Sequence, residues 1–180
     1  MSNFRRKAFI SYHHDDQKEV DAFIKTFDEA RDVFIARALG TEMDPQIINS
    51  DDTEYVMQRV RELYLKDSSI TIVLIGRCTW ARRYIDWEIQ ASLRQGENTT
   101  PNGLLGIVLT SAGKEPRAPE RLRLNLKGKQ SDEGYARWYW YPSTKDALAG
   151  WIEDAFTART TRTNLIDNPR DRRKNNAQCP

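Results

Sequence analysis

Apolar positions along the chain alternate between short continuous runs and helical stripes. Residues 7–11 (Lys-Ala-Phe-Ile-Ser) form a short apolar run opening onto Tyr12, His13, His14, Asp15 and Asp16, as a buried strand emptying into a polar loop does. From Lys18 onward Val20, Phe23, Ile24, Phe27, Ala30, Phe34, Ile35 and Ala38 recur at helical spacing, and Gly40 is placed to stop that helix. Ile47 and Ile48 sit in a run too short to assign. The polar turn Asn49, Ser50, Asp51 and Asp52 then caps a helix over 53–65, striped by Val56, Val60, Leu63 and Tyr64. Residues 69–75 (Ser-Ile-Thr-Ile-Val-Leu-Ile) are almost continuously apolar and β-branched, as in a strand covered on both faces, and are predicted to be the central strand.

Gly76 ends that strand, 77–81 form a loop, and an amphipathic helix follows over 82–95. Gly96, Asn98, Pro101, Asn102 and Gly103 bar its continuation before another apolar strand at 104–109. Residues 111–134 lack periodicity and are rich in Gly, Pro, Lys and Arg, which predicts a long surface excursion. The aromatic run 135–141 reads as an edge strand closed by Pro142, and 145–161 as a final helix with Leu148, Trp151, Ile152 and Phe156 inward. The expectation is one domain over 1–161 and a basic, disordered tail over 162–180. Alternating strands and helices predict an α/β, flavodoxin-like, doubly wound parallel sheet of four or five strands with helices on both faces. Its ligand crevice would lie outside the carboxyl ends of the strands.

One charge is misplaced in this pattern. On the 82–95 helix Arg83, Asp86, Gln90 and Arg94 gather in a polar arc, whereas Glu88 projects among Tyr84, Ile85, Ala91 and Ser92 on the other side. An inward carboxylate needs a partner, a pocket or a chemical task, because burying it unpaired costs several kcal/mol or forces its pKa upward. On this helix alone, pairing with nearby Arg82 or Arg83 accounts for it as well as a functional site does.

Composition narrows the choice. Hydrophobic residues at 39% and charged ones at 30% describe a globular domain with a heavily charged surface, and no apolar run approaches the roughly 18–20 residues of a membrane span. No export signal is expected from Ser2, Asn3, Phe4, Arg5, Arg6 and Lys7. Cys78 and Cys179 are far apart and predict neither a disulfide framework nor a metal site, which suits a reducing cytoplasm. Adjacent His13 and His14 lack a helical or strand spacing for joint ligation, so no metal is expected. The net charge of +2 divides into +4 over 159–180 and −2 elsewhere, so the body is not a basic nucleic-acid platform.

Phe9-Ile10-Ser11-Tyr12 followed by Asp15-Asp16, then the Val-Leu-Ile-Gly strand end, then Arg82-Arg83-Tyr84-Ile85-Asp86-Trp87-Glu88-Ile89, resembles the Toll/interleukin-1 receptor (TIR) superfamily. More narrowly it is similar to the bacterial TIR-like domain of Thoeris antiphage signalling proteins, over about residues 7–95. The resemblance implies that Glu88 matches the family's catalytic glutamate for cleaving the nicotinamide glycosidic bond of NAD. Tyr84 stands where the family often has tryptophan.

Further expectations follow from that resemblance. NAD would be a substrate, with no cofactor and no metal. Ser11, Tyr12, His13, Asp51, Arg82 and Tyr84 are candidate substrate-binding residues, Asp51 on topology alone. The chain would self-associate into a homo-oligomer, respond to a phage-derived trigger, and reach a separate effector through a cyclic or conjugated ADP-ribose signal. Two rivals remain open: a non-catalytic TIR-like adaptor, and a nucleoside deoxyribosyltransferase-like enzyme with Glu88 as nucleophile.

Overall fold

The computed structural model describes residues 5–29, 34–38, 49–126 and 134–180. Five strands, β1 (Arg6–Ser11), β2 (Phe34–Ala38), β3 (Ile70–Ile75), β4 (Gly103–Val108) and β5 (Arg137–Trp140), form one sheet in the order β2-β1-β3-β4-β5. Every pairing is parallel. This is the flavodoxin-like order, with the topological switch between β1 and β3. β3 is the middle strand, as its β-branched run predicts, and all six of its residues are buried.

Strand parity assigns the two faces. Ala8, Ile10, Ile70, Ile72, Leu74, Leu105 and Ile107 point to one side, where α1 (Gln17–Ile24) and α5 (Lys145–Thr161) bring Val20, Phe23, Leu148 and Ile152. Phe9, Val73, Ile75, Leu104 and Val108 point to the other, under α2 (Thr53–Val60), α3 (Arg83–Ser92) and α4 (Glu120–Leu126). The α5 backbone passes so close to β4 that a Cβ on Gly103 would lie 2.0 Å from the Ala155 carbonyl oxygen, so only glycine fits there. Asp52 caps α2 by accepting from the Glu54 and Tyr55 amides, and Thr144 caps α5 through the Ala147 amide.

Four expectations change. The helical stripe predicted from Lys18 to Ala38 is two elements: α1, prolonged by a π-helical turn over Lys25–Glu29, and β2 over Phe34–Ala38. Apolar spacing alone does not separate a short strand from a continuing helix, and β1 gains an outer partner from this one. Ile47 and Ile48 lie outside the described residues. The excursion at 111–134 contains α4, whose Arg121, Leu122, Asn125 and Leu126 are buried.

The chain beyond residue 162 is not disordered but laid along the outer side of α3 and α4. Trp87 Nε1 donates to the Arg173 carbonyl at 2.7 Å, and Gln90 Nε2 to the carbonyls of Pro169 and Arg170. The Ala177 amide donates to the Ala81 carbonyl. Composition favoured disorder because the segment is polar, but its backbone carbonyls meet buried donors, and Leu165 and Ile166 pack against the core cluster under α3 and α4. Finally, Cys78 and Cys179 are joined as a disulfide, which overturns the expectation of unpaired thiols. Sequence separation hid the pair, and the docked tail brings it together. Among the described residues no helix is long and apolar enough to cross a membrane.

Candidate functional site

The site is built where the polar positions of β1 and β3 meet α3. Parity turns Ser11 and Thr71 toward the α3 face of the sheet, between apolar neighbours of opposite parity. Along α3, Ile85 and Ile89 pack on the core, and Glu88 and Ser92, one turn apart, meet those two polar positions. Asn102 Nδ2 donates to Thr71 Oγ1, Thr71 shares a 2.6 Å bond with Ser92 Oγ, and the Ser92 hydroxyl donates to the Glu88 carbonyl oxygen. The Ser11 hydroxyl donates to Glu88 Oε2 at 2.5 Å. One hydroxyl is the partner shown for that carboxyl.

The electrostatic consequence is large. Glu88 keeps a little accessible surface, but the protein packed around it removes most of its hydration. Burial pushes its pKa up to about 8, and the Ser11 hydrogen bond opposes only part of this. The acid thus changes its charge within the physiological range, which the usual glutamate does not.

The other predicted residues are distributed around this centre. Tyr12 belongs to the core on the α1 face, donates its hydroxyl to Gln17 Oε1 at 2.7 Å, and has its pKa raised chiefly by burial. His13 is 5% exposed, with Nε2 3.0 Å from Asp15 Oδ2; burial, then the nearby Arg82 charge, lower its pKa. Arg82 lines a cavity of about 530 Å³ together with Trp80, Asp86, Arg117, Arg121 and Arg173. Asp51 is exposed and lines a second cavity, about 750 Å³, with Ser50, Arg83, Trp87 and Arg172. Tyr84 stands edge-on to Trp87, and its hydroxyl accepts from Arg83 Nη2 at 3.1 Å. Neither of these two cavities is lined by Glu88; of the predicted residues Ser11 hydrogen-bonds to it and Tyr12 lies close enough for the Glu88 charge to raise its pKa, and residues 39–48 after β2 lie outside the described residues.

Three features were not anticipated. Asp16 is 7% exposed at the carboxyl end of the sheet, accepting from Ser111 Oγ at 3.0 Å, and burial raises its pKa. Its carboxylate occupies the space a Cβ on Gly76 would need, 2.0 Å away, so the Gly that ends β3 also admits this side chain. Asp86, assigned to a solvent-facing arc, is instead ion-paired with Arg121, whose side chain is 4% exposed. Lastly, the tight turn at His14–Asp16 converges the adjacent histidines: ligand atoms of His13, His14 and Asp15 all lie within 4.8 Å of one another. These three could reach a metal ion, although the Arg82 charge acting on His13 opposes a cation there.

The family model of the TIR-like domain of the Thoeris protein ThsB matches residues 9–114. No curated protein matches the chain. The matched stretch runs from β1 past β4 and includes Ser11, Asp16 and Glu88, and it exceeds half of the 180 residues. The chain belongs to the family of the Thoeris protein ThsB TIR-like domain.

Proposed function

We propose that this TIR-like protein consumes NAD in an antiphage, Thoeris-type defence system, cleaving the nicotinamide glycosidic bond at Glu88. The observation that carries the reading is a carboxyl desolvated between α3 and β1 and hydrogen-bonded by the Ser11 hydroxyl at 2.5 Å. Departure of nicotinamide leaves cationic character on the ribose, and a carboxylate fixed beside it lowers that barrier or anchors the ribose hydroxyls. A bound nicotinamide ring is itself positively charged and draws the Glu88 proton off, so substrate would generate the reactive form of the acid. Ser11 orients the carboxyl. His13 supplies a donor for phosphate, and Tyr84 an aromatic wall.

In this reading NAD is a substrate and no cofactor takes part. The product is a cyclic or conjugated ADP-ribose signal for a separate effector, and a phage-derived cue with homo-oligomeric assembly turns synthesis on. A non-catalytic adaptor is the second reading, favoured by one observation: neither described cavity is lined by Glu88.

Incubating the concentrated protein with NAD and following nicotinamide release by chromatography separates them. Glu88→Gln is expected to slow release on the order of 10²–10³-fold, the loss of about 3–4 kcal/mol of electrostatic stabilisation. Equal release from both proteins would remove Glu88 from the chemistry. A glycosyl adduct on Glu88 in intact mass, formed from a nucleoside, would instead indicate deoxyribosyl transfer.

A further inference from the structure

The cavity on the tail side of α3 is strongly cationic and has no part in the proposed NAD chemistry. Glu88 and Asp86 are two residues apart, which turns them about 200° from each other around the helix, so the cavity lined by Asp86 opens on the side away from Glu88. Its arginines are Arg82, Arg117, Arg121, Arg172 and Arg173, against the carboxylates of Asp86, Glu120 and Asp171. Arg121 is neutralised by Asp86, and Glu120 is engaged by Arg123. The other four guanidinium groups have no carboxylate within ion-pair distance among the described residues. Among the described residues the Arg173 guanidinium bonds to the carbonyls of Trp80 and Asn175, its backbone amide donates to Asp86 Oδ2, and the Arg172 guanidinium bonds to the Ser50 carbonyl. Arg117 lies over the Trp80 ring, 3.5 Å from its centroid. Among the described residues the Arg82 Nε and Arg172 Nη1 atoms are buried without a hydrogen-bond partner.

Unpaired buried donors on charged groups are costly, and a cluster of them invites an anion. Guanidinium forks match oxyanions with two parallel donors, which an ammonium cannot do. The volume of about 530 Å³ is that of a small-molecule pocket. We infer that this cavity is a binding site for a phosphate-bearing small anion, separate from the Glu88 site. Arg117 and Arg173, both in contact with Trp80, and Arg82 beside them hold the phosphate groups. Because Arg172 and Arg173 come from the docked tail, the site exists only while the tail lies on α3. The inference holds whether or not the protein cleaves NAD.

Calorimetric titration with inorganic pyrophosphate and with adenosine 5′-diphosphate tests this on the whole oxidised chain. Arg117 is exposed, so Arg117→Ser and the charge reversal Arg117→Glu leave the fold intact. Both are expected to weaken binding about tenfold to a hundredfold, the loss typical of a charge-assisted hydrogen bond, and Arg117→Glu more than Arg117→Ser. Glu88→Gln is expected to bind both probes as the wild type does. Tighter binding of the nucleotide than of pyrophosphate identifies a nucleotide site, and equal binding a site for the phosphate groups alone. No binding of either probe at millimolar concentration, binding unchanged in both Arg117 variants, or binding lost in Glu88→Gln overturns the inference.

Discussion

Glu88 and Asp86, two positions apart on α3, are both withdrawn from bulk water, but Asp86 is held by the Arg121 guanidinium and Glu88 by the Ser11 hydroxyl. The difference decides what each can do. A carboxylate in an ion pair with its lone pairs satisfied is a structural element. One that has lost its hydration and gained a single neutral donor keeps an unspent affinity for positive charge, which the nicotinamidium ring of bound NAD supplies and the ribose takes over as neutral nicotinamide departs.

The first prediction concerns pH. With the Glu88 pKa at about 8, the ionised acid accumulates in the free protein only as the pH approaches and passes that value, so kcat/KM for NAD should rise with pH to a plateau above about 8. Ser11 opposes the shift by hydrogen bonding to the ionised form, so Ser11→Ala should move the midpoint upward and lower the rate at neutral pH. A profile flat between about pH 6 and 9 in both proteins would sink the assignment.

Stability should respond to the same proton in the opposite sense. The folded chain binds the Glu88 proton more tightly, at about 8 against 4.5 for an unperturbed glutamate, so this contribution is fully present below about pH 4.5 and is lost as the pH rises to about 8. At about 1.4 kcal/mol per pH unit, the loss across that window is at most several kcal/mol. Glu88→Gln removes the burial cost of the charge, and urea unfolding should find it more stable than wild type at pH 8 and equal near pH 4.5. A variant less stable at both values would mean that the carboxyl serves the fold and not a reaction.

Much of the frame was legible because burial on both faces leaves an unambiguous trace: the run at 69–75 could only be an inner strand, and the inward aim of Glu88 followed from helical period. β2 was not legible, since Phe34, Ile35 and Ala38 continue a helical count while pairing with β1. The role of Asp86 was hidden for a different reason. Periodicity distinguishes polar from apolar faces, but it does not distinguish a polar face against water from one against other polar groups, and Arg121 and the tail carbonyls supply the latter. Cys78–Cys179 depends wholly on the tail's path.

Arg121 should prove the keystone of that path. Its guanidinium bonds both Asp86 oxygens, Asn168 Oδ1, and the carbonyls of Pro169 and Asp171, so every donor is used. Arg121→Ala strips Asp86 of its counter-charge and leaves the Arg173 amide as the donor shown for it, which should cost about 3–5 kcal/mol in denaturant unfolding and open the tail to limited proteolysis. Adding Asp86→Asn should recover part of the loss, because the stranded charge is gone. A single variant within about 1 kcal/mol of wild type would show that the tail docks without it.

The disulfide should set a redox dependence on stability. Cys78 and Cys179 are 101 residues apart, and a closed loop of that length restricts the unfolded chain enough to contribute about 2–4 kcal/mol in the native state. Without reductant, Cys78→Ser should melt several degrees below wild type, given about 2–4 °C per kcal/mol for a domain of this size. With dithiothreitol the wild type should fall to the temperature of the variant, which should itself not move. Thiol titration of the denatured oxidised protein should find no free sulfhydryl, and two after reduction. Because the bridge ties the loop that opens α3 to the last residues of the tail, its loss should release the tail end first, with protease cleavage beyond Ala177 preceding any change in the sheet. Cleavage there at the same rate in oxidised and reduced protein would mean that the hydrogen bonds alone hold the tail in place.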